Sequence, residues 1–270
     1  MSSVRSGGPR PRKALGQHFL RDTGVLADIA TAVHQPEGGF VLEIGGGTGQ
    51  LTEALLAREL EVVVVEVEGR MVRHLQNRFV DAPRLTIVEA DARDLDLAAV
   101  NPRNRSFVVA GNLPYFAANP IIRRLLEGSP KPKEMVVMVQ REVARELAAK
   151  PGHLSLLAIS VLVYAEAEVL FDVPATAFDP PPNVWSSVVR MTLRAEPLVP
   201  LGQMEAFFEF VSKTFRNPRK QIHNGLKMPP DLAAEALAVV GIDPMRRPET
   251  LSVPEWLALM HACEDTMQHV

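Results

Sequence analysis

Short apolar runs alternate with stretches of helical periodicity along the first 196 residues of the chain. The runs Val62–Val65 and Phe107–Ala110 have the pattern of strands that are buried on both faces, and five runs in all are predicted to be strands. They are Phe40–Ile44, Val62–Val65, Leu85–Val88, Phe107–Ala110 and Met135–Val139. Strands that alternate with helices imply a parallel, doubly wound sheet, so the pattern predicts an α/β fold.

Helices are predicted between these strands from the 3.6-residue spacing of their apolar positions. The first begins after Asp22, a good N-cap residue, and runs to about Val33. The others are Thr48–Arg58, Gly69–Phe79, a helix that begins at Pro120, Gln140–Ala149 and Ser155–Val163. After the rigid turn Asp179–Pro182, the alternating segment Val184–Leu193 predicts a further strand.

The pattern changes at Glu196–Gly202, which holds two prolines and a glycine. Beyond this break only helical spacing remains. The predicted helices are Met204–Phe215, Arg219–Leu226, Asp231–Val240 and Val253–Ala262. We therefore expect three parts: a basic, flexible tail at residues 1–21, an α/β domain at 22–196, and a helical domain at 197–270.

Composition narrows the classes of protein. A chain of 270 residues that is 47% apolar can bury one large core and a small appendage. The net charge of −3 argues against a protein that coats nucleic acid indiscriminately. Cys263 is the only cysteine, which excludes an internal disulfide and a cysteine zinc site. We expect no metal, no membrane span, a cytoplasmic location and a monomer. Trp185 and Trp256 are interpreted as core residues.

The segment Glu43–Gly49 follows a strand and opens a helix, the position at which parallel sheets bind cofactors. Glycines occupy positions 45, 46, 47 and 49, whereas a dinucleotide motif that starts at Gly45 would need its third glycine at Gln50. The spacing therefore favours a cofactor without pyrophosphate, such as S-adenosylmethionine. Glu66 ends the next strand and could bind both ribose hydroxyls, and Asp91 follows the strand after it and could reach the adenine amine.

The loop Asn112–Tyr115 follows the strand at Phe107 and contains chemistry suited to an aromatic amine. Such an amine is a poor nucleophile, and acceptors on its N–H groups, such as the Asn112 oxygen, favour a pyramidal nitrogen. Pro114 stiffens the loop, and Tyr115 offers a face for a flipped-out base. Phe178 could close the base pocket from the other side. The loop predicts methyl transfer to an exocyclic amine in RNA.

Basic residues supply candidate phosphate contacts. Arg123 and Arg124 lie beside the target loop. An acid-free stretch in the helical region adds Lys213, Arg216, Arg219, Lys220, His223 and Lys227. From these sets we predict RNA contacts at Arg123, Arg124, Arg216, Arg219 and Lys220, so the helical domain at 197–270 is predicted to contact RNA.

The chain resembles the ribosomal RNA small-subunit adenine dimethyltransferases over nearly its whole length, from Gly16 to about Leu259. The matching segments are Gly16–Leu20, Glu43–Gly49, Glu66, Asp91–Ala92, Asn112–Tyr115, Gln140–Val143, Phe178–Val184 and Arg247–Ser252. The resemblance implies a Rossmann-like sheet with a final antiparallel strand, a small helical domain, and conversion of adenosine to N6,N6-dimethyladenosine in the small ribosomal subunit.

The resemblance also implies roles for single residues. Gly45 would contact the methionine part of S-adenosylmethionine, Glu66 the ribose and Asp91 the adenine ring. The cofactor set becomes Gln17, His18, Leu20, Gly45, Gly47, Glu66, Asp91, Ala92 and Asn112. The catalytic set is Asn112, Leu113, Pro114, Tyr115 and Phe178.

Three positions depart from the family pattern. Gly46 stands where proline is usual, Phe116–Asn119 replaces a polar run, and Trp185 stands where a small acidic residue is frequent.

Three other functions stay open: a large-subunit methyltransferase that confers macrolide resistance, a non-catalytic RNA-binding assembly factor, and a nicotinamide oxidoreductase. The segment Arg247–Ser252 favours the small subunit.

Overall fold

The computed structural model describes residues 18–216 and 220–268. The predictions for Gln17, for Arg219 and for the tail before His18 lie outside these residues. The described chain forms two compact units. One comprises residues 18–144 and Ala167–Leu193, and the other comprises Arg145–Glu166 and the residues from Arg194 onward. The boundary predicted near 197 is close to the last of these transitions, whereas Arg145–Glu166 groups with the later helices.

Strands of the first unit build a seven-stranded sheet with the order β4-β3-β2-β5-β6-β9-β7 and a two-stranded ribbon of β1 and β8. The strands are β1 (Phe19–Leu20), β2 (Phe40–Ile44), β3 (Val62–Glu66), β4 (Leu85–Glu89), β5 (Phe107–Asn112), β6 (Glu134–Gln140), β7 (Ala165–Val173), β8 (Phe178–Asp179) and β9 (Ser186–Leu193). Strands β2 to β6 run parallel to one another, and β9 pairs antiparallel with β6. The α/β prediction is confirmed.

The central strands form as the apolar runs predict. Every residue of β2 and β3 is buried, as expected for strands with both faces covered. Neighbouring strands keep a regular register, with Val41 opposite Val62 and opposite Val108. Side chains of these strands pack against Leu26 and Ile29 of the first helix in one continuous core.

Helices flank the sheet and make up most of the second unit. They are α1 (Thr23–Ala32), α2 (Gln50–Leu56), α3 (Gly69–Arg78), α4 (Leu97–Val100), α5 (Ala118–Glu127), α6 (Arg141–Leu147), α7 (Leu156–Tyr164), α8 (Met204–Phe215), α9 (Ile222–Gly225), α10 (Pro230–Val239) and α11 (Val253–Gln268). The cap predicted for α1 is present: the Asp22 carboxylate accepts hydrogen bonds from the amides of Gly24 and Val25, at 2.9 and 3.1 Å. Of the helices in the described residues, none is long and apolar enough to cross a membrane.

The second unit has a core of its own. Trp256 on α11 is fully buried and packs against Phe215 of α8, with 5.6 Å between ring centroids. Helix α11 begins with a capping box, in which the Glu255 carboxylate accepts a 2.7 Å hydrogen bond from the Ser252 amide. The Arg246 guanidinium bonded to Glu255 lowers the pKa of that carboxyl to about 2. The burial of Trp256 and its packing on Phe215 confirm the prediction that Trp256 is a core residue.

Two predictions fail in this fold, and three strands are missed. Trp185 is not a core residue, since it is 45% exposed. The basic helix predicted over Arg219–Leu226 is wrong in extent, because α9 is a single turn that leaves Lys220 outside it. Asn224 and Gly225 are poor helix formers, which limits that helix. Finally, the pattern predicts no strand at β1, β7 or β8.

Candidate active site

The carboxyl ends of β2, β3, β4 and β5 open into one cavity of the first unit. The chain runs outward from β2 to β4 and then returns to place β5 on the other side of β2. This reversal is a topological switch point, where α/β sheets bind ligands. The cavity has a volume of about 460 Å³, which suits a ligand the size of a nucleoside derivative. Its wall is mostly apolar, with polar groups from three strand ends.

The glycine loop forms one edge of this cavity. Gly45 and Gly47 both line it and have φ angles of 78° and 51°, in the left-handed region that favours glycine. A Cβ atom on Gly47 would lie 3.3 Å from the Phe19 ring. The loop therefore brings main chain, without side chains, to the edge of the cavity.

Glu66, the last residue of β3, anchors the loop. Its side chain lines the cavity although the residue is only 7% exposed. One carboxylate oxygen accepts a 2.9 Å hydrogen bond from the Gly47 amide, and the other accepts one of 2.9 Å from the Glu68 amide. Because each carboxylate oxygen has two acceptor sites, each retains capacity for one more donor.

Asp91 follows β4 and lines the same cavity, together with Ala92. The Arg93 side chain holds the Asp91 carboxylate through hydrogen bonds of 2.6 and 3.0 Å. These hydrogen bonds and the 2.9 Å bond from the Arg93 amide lower the pKa of Asp91. The group is thus a fixed, ionised acceptor at the cavity edge.

Glu43 lies inside β2, beneath the glycine loop, and is 1% exposed. Burial raises the pKa of its carboxyl to about 7, and the neighbouring Glu66 charge adds to the effect. The hydroxyl and amide of Thr52 oppose this rise in the pKa. The Thr52 hydroxyl does not reach hydrogen-bonding geometry, however, and Oε2 of Glu43 has no hydrogen-bond partner. The residue two positions before Gly45 is thus a buried acid with a pKa of about 7.

Asn112 ends β5 and faces the cavity from the opposite side. Its amide nitrogen donates a 3.4 Å hydrogen bond to the main-chain carbonyl of His18. A carbonyl can only accept, so this contact orients the amide and leaves Oδ1 available as an acceptor. The His18 ring is itself held, because Nδ1 donates a 2.7 Å hydrogen bond to the Pro180 carbonyl.

Tyr115 carries the aromatic face of the target loop. Its ring stacks against that of His18, with centroids 6.1 Å apart and an angle of 27° between planes. The hydroxyl shares a 2.8 Å hydrogen bond with Oγ of Ser186, a fully buried residue of β9. Partial burial raises the pKa of Tyr115, so the phenol stays neutral. Phe178 closes the wall of the cavity and is 5% exposed.

The ribbon of β1 and β8 explains how His18 and Phe178 come to line the same cavity. Leu20 pairs with Phe178, and Phe19 pairs with Asp179. Main-chain amides at Arg21 and Asp22 continue the contact by donating to the Ala177 carbonyl.

Most predicted site residues within the described chain line this one cavity. They are His18, Gly45, Gly47, Glu66, Asp91, Ala92, Asn112, Leu113, Pro114, Tyr115 and Phe178. Leu20 does not join them, since it points into the hydrophobic core. Its neighbour Phe19 lines the cavity instead, as do Val67 and Phe116. The sequence signal for Phe19 was its place beside His18 in a matching motif.

The candidate RNA-binding residues differ in their surroundings. The Arg124 guanidinium donates two hydrogen bonds, of 2.8 and 2.6 Å, to the Leu95 carbonyl, which favours a structural role. The Arg123 side chain is 74% exposed and pairs with Glu127 on its own helix. Arg216 and Lys220 are exposed in the second unit. Across residues 18–216 and 220–268, no group of His, Cys, Asp and Glu could hold a metal ion.

Comparison with known proteins identifies a family. The family model for ribosomal RNA adenine dimethylase matches residues 8–265. The ribosomal RNA small subunit methyltransferase A of Synechococcus sp. (strain JA-3-3Ab) is 41% identical over 263 residues, which cover 93% of this chain and 92% of that protein. Two crystal structures share the fold. The 23S rRNA methyltransferase ErmE has a TM-score of 0.73 at 27% identity. The match covers 91% of this chain and 99% of that one. A dimethyladenosine transferase from Plasmodium falciparum has a TM-score of 0.79 at 23% identity. The match covers 93% of this chain and 98% of that one.

Proposed function

The chain belongs to the ribosomal RNA adenine dimethylase family, and from this premise we propose that it dimethylates adenine N6 in small-subunit ribosomal RNA. The methyl donor is S-adenosylmethionine. We further propose that the targets are two adjacent adenosines near the 3′ end of 16S rRNA, and that the reaction occurs in the cytoplasm during ribosome biogenesis. The observation that carries the proposal is that the Glu66 and Asn112 side chains line one and the same cavity.

The residues around the cavity fit S-adenosylmethionine. The bare main chain at Gly45 and Gly47 admits a close ligand, and Glu66 has one acceptor site free on each oxygen. Glu66 would hold the ribose hydroxyls, Asp91 would accept from the adenine amine, and Gly45 would lie beside the methionine part. When bound, S-adenosylmethionine supplies an electrophilic methyl group on a positively charged sulfur.

Asn112 would make the target nitrogen reactive. The adenine N6 lone pair is delocalised into the ring, which makes a planar amine a weak nucleophile. Oδ1 of Asn112 would accept a hydrogen bond from one N6–H, and a main-chain carbonyl of the loop would accept from the other. These two acceptors hold the nitrogen in place and favour a pyramidal geometry. Positioning of this kind contributes most of the acceleration when the donor is already activated.

The aromatic residues would hold the target base. Adenine must leave its stack to reach the cavity, and unstacking costs a few kcal/mol. The Tyr115 and Phe178 rings lie in the cavity wall and can recover part of that cost by stacking. The bond from Tyr115 to Ser186 fixes the phenol ring, so the base meets a surface that is already in place.

Contacts to phosphates would come from exposed basic side chains of each unit. Arg123 of the first unit and Arg216 and Lys220 of the second are exposed and fit this role. The small ribosomal subunit is the proposed partner, and a monomer is the proposed state.

Methylation of purified ribosomal subunits tests the proposal. We expect the protein to convert adenosine to N6,N6-dimethyladenosine in small subunits that lack the modification, as read by mass spectrometry of the RNA. The match to ErmE keeps the large subunit as the second candidate substrate. Methylation of large subunits alone would replace the first proposal with the second. Binding of both subunits without methyl transfer would indicate a non-catalytic assembly factor.

A further inference from the structure

Two aromatic side chains in the segments around Tyr115 and Ser186 are exposed and have no role in the chemistry described above. Phe116 is 66% exposed and Trp185 is 45% exposed. Isolated exposed apolar residues are common on protein surfaces, but exposed aromatic rings next to a functional cavity are not expected without a partner. Phe116 also lines the cavity, so its ring lies at the rim.

A single hydrogen bond brings these two residues into one neighbourhood. Tyr115 and Ser186 share a contact of 2.8 Å, and Phe116 and Trp185 are their respective chain neighbours. Both segments belong to the first unit. Phe116 and Trp185 therefore adjoin, along the chain, the two residues whose contact holds the predicted base-stacking tyrosine.

Trp185 is fixed in position. Its carbonyl accepts a 3.0 Å hydrogen bond from the Arg141 amide, and the Arg141 guanidinium lies over the indole ring, 5.4 Å from the ring centroid. A cation over tryptophan stabilises the ring orientation and leaves a positive charge beside an aromatic surface. Surfaces that combine aromatic faces with arginine are typical of single-stranded nucleic acid binding.

We propose that Phe116 and Trp185, with Arg141 stacked on Trp185, bind a nucleotide directly next to the target adenosine by base stacking. The inference rests on the proposed function, because it takes the target base to occupy the cavity. A base that leaves its stack exposes the faces of its neighbours, and exposed aromatic rings at the cavity rim can cover such a face. The surface thereby selects RNA that is already single-stranded on that side of the target.

Steady-state methylation of small subunits by Phe116→Ala and Trp185→Ala variants tests this surface. We expect KM for the subunit to rise about fivefold or more in each, since stacking of one base is worth roughly 1–3 kcal/mol, or about 5- to 150-fold. The value of kcat and the affinity for S-adenosylmethionine should stay within twofold. Phe116→Tyr and Trp185→Phe should restore KM. Val80→Ala truncates a residue that is 77% exposed and serves as the matched control.

A fluorescent base identifies the occupant directly. A single-stranded RNA with the target sequence would carry 2-aminopurine next to the target adenosine. Stacking on Phe116 or Trp185 should quench its fluorescence with the unmodified protein, and the quenching should be lost in both alanine variants. Equal quenching with the variants would overturn the proposal. A rise in KM for subunits with unchanged quenching would also overturn it, because the surface would then bind a ribosomal protein. Absence of methylation by the unmodified chain would refute the proposed function itself.

Discussion

The two sides of the cavity are built by different means. On the cofactor side, Glu66 is buried and both of its oxygens are bonded to main-chain amides of adjacent loops. On the target side, the Asn112 and Tyr115 side chains each make one hydrogen bond to a distant segment, at His18 and at Ser186, and the Tyr115 ring also stacks on His18. The first side is fixed by consecutive strand ends, and the second is assembled from parts far apart in the chain.

This difference implies a division of labour. A side fixed by main-chain bonds binds a constant ligand without rearrangement, which suits a cofactor that is the same in every turnover. A side held by single side-chain contacts is easier to perturb and easier to vary, which suits a substrate that differs among RNA methyltransferases. Loss of a group on the cofactor side should therefore affect cofactor affinity and stability, and loss on the target side should affect turnover.

The substitution Asn112→Ala tests this division most severely. We expect kcat to fall by about 10²- to 10³-fold, the scale of losing one group that is aimed at the reacting atoms. The affinity for S-adenosylmethionine, measured by calorimetry, should fall much less than kcat, although Asn112 also belongs to the predicted cofactor set. Asn119→Ala, on the exposed face of α5, is the control and should be active. A large loss of cofactor affinity with normal kcat would place Asn112 on the cofactor side.

The substitution Glu43→Gln tests the buried acid beneath the glycine loop. Its pKa of about 7 in the folded protein lies above the ordinary 4.5, so the folded state retains a proton that the unfolded chain has released. Stability is therefore lost as the pH rises from 4.5 through 7. The variant should lack this loss and be more stable by up to about 3 kcal/mol at pH 8, with no difference at pH 4. Urea denaturation at several pH values measures it, and parallel curves for both proteins would contradict the assignment.

The substitution Glu66→Ala should weaken S-adenosylmethionine binding by about tenfold or more, because it removes a charged acceptor for the ribose. It should also lower the melting temperature by several degrees, since the Gly47 and Glu68 amides lose their partner. Calorimetry and thermal unfolding give the two values. Glu89→Ala, opposite Glu66 on β4 and exposed, should leave both unchanged. Unaltered cofactor affinity in the Glu66 variant would remove the ribose assignment.

The smallest effect is expected for Ser186→Ala, which frees the Tyr115 hydroxyl. Loss of one hydrogen bond is worth about 0.5–1.5 kcal/mol, so kcat/KM for the subunit should fall by about 2- to 12-fold. Ser187→Ala makes the same chemical change one residue further along β9, where the hydroxyl donates to Asp172 at 2.5 Å. That control should keep its activity. Equal losses in the two variants would mean that β9 acts through its stability alone.

The sequence predicts the cofactor side of the cavity well because each part is local. An apolar run such as Phe40–Ile44 defines a strand, and the glycines after it define the loop. Consecutive strands place Glu66 and Asp91 at neighbouring ends of a parallel sheet. The order of the strands then brings these residues together without any further information.

The same reasoning misses the parts that depend on tertiary contacts. Two-residue strands such as β1 and β8 have no period, so only their pairing reveals them. Strand β7 carries Glu166 and Glu168 and lies at the edge of the sheet, where charged residues are tolerated although they weaken a strand pattern. Trp185 is exposed although tryptophan is usually buried, and its contact with Arg141 is visible only in the structure.

The ribbon of Phe19–Leu20 with Phe178–Asp179 sets the order of events during synthesis. The glycine loop, Glu66 and Asn112 all leave the ribosomal exit tunnel before β8, the strand that pairs with β1, has been translated. The nascent chain can fold most of the parallel sheet, but the wall that holds His18 cannot close until residue 179 has emerged. Maturation of the cavity is thus a late step that depends on the two segments finding each other across the folded sheet.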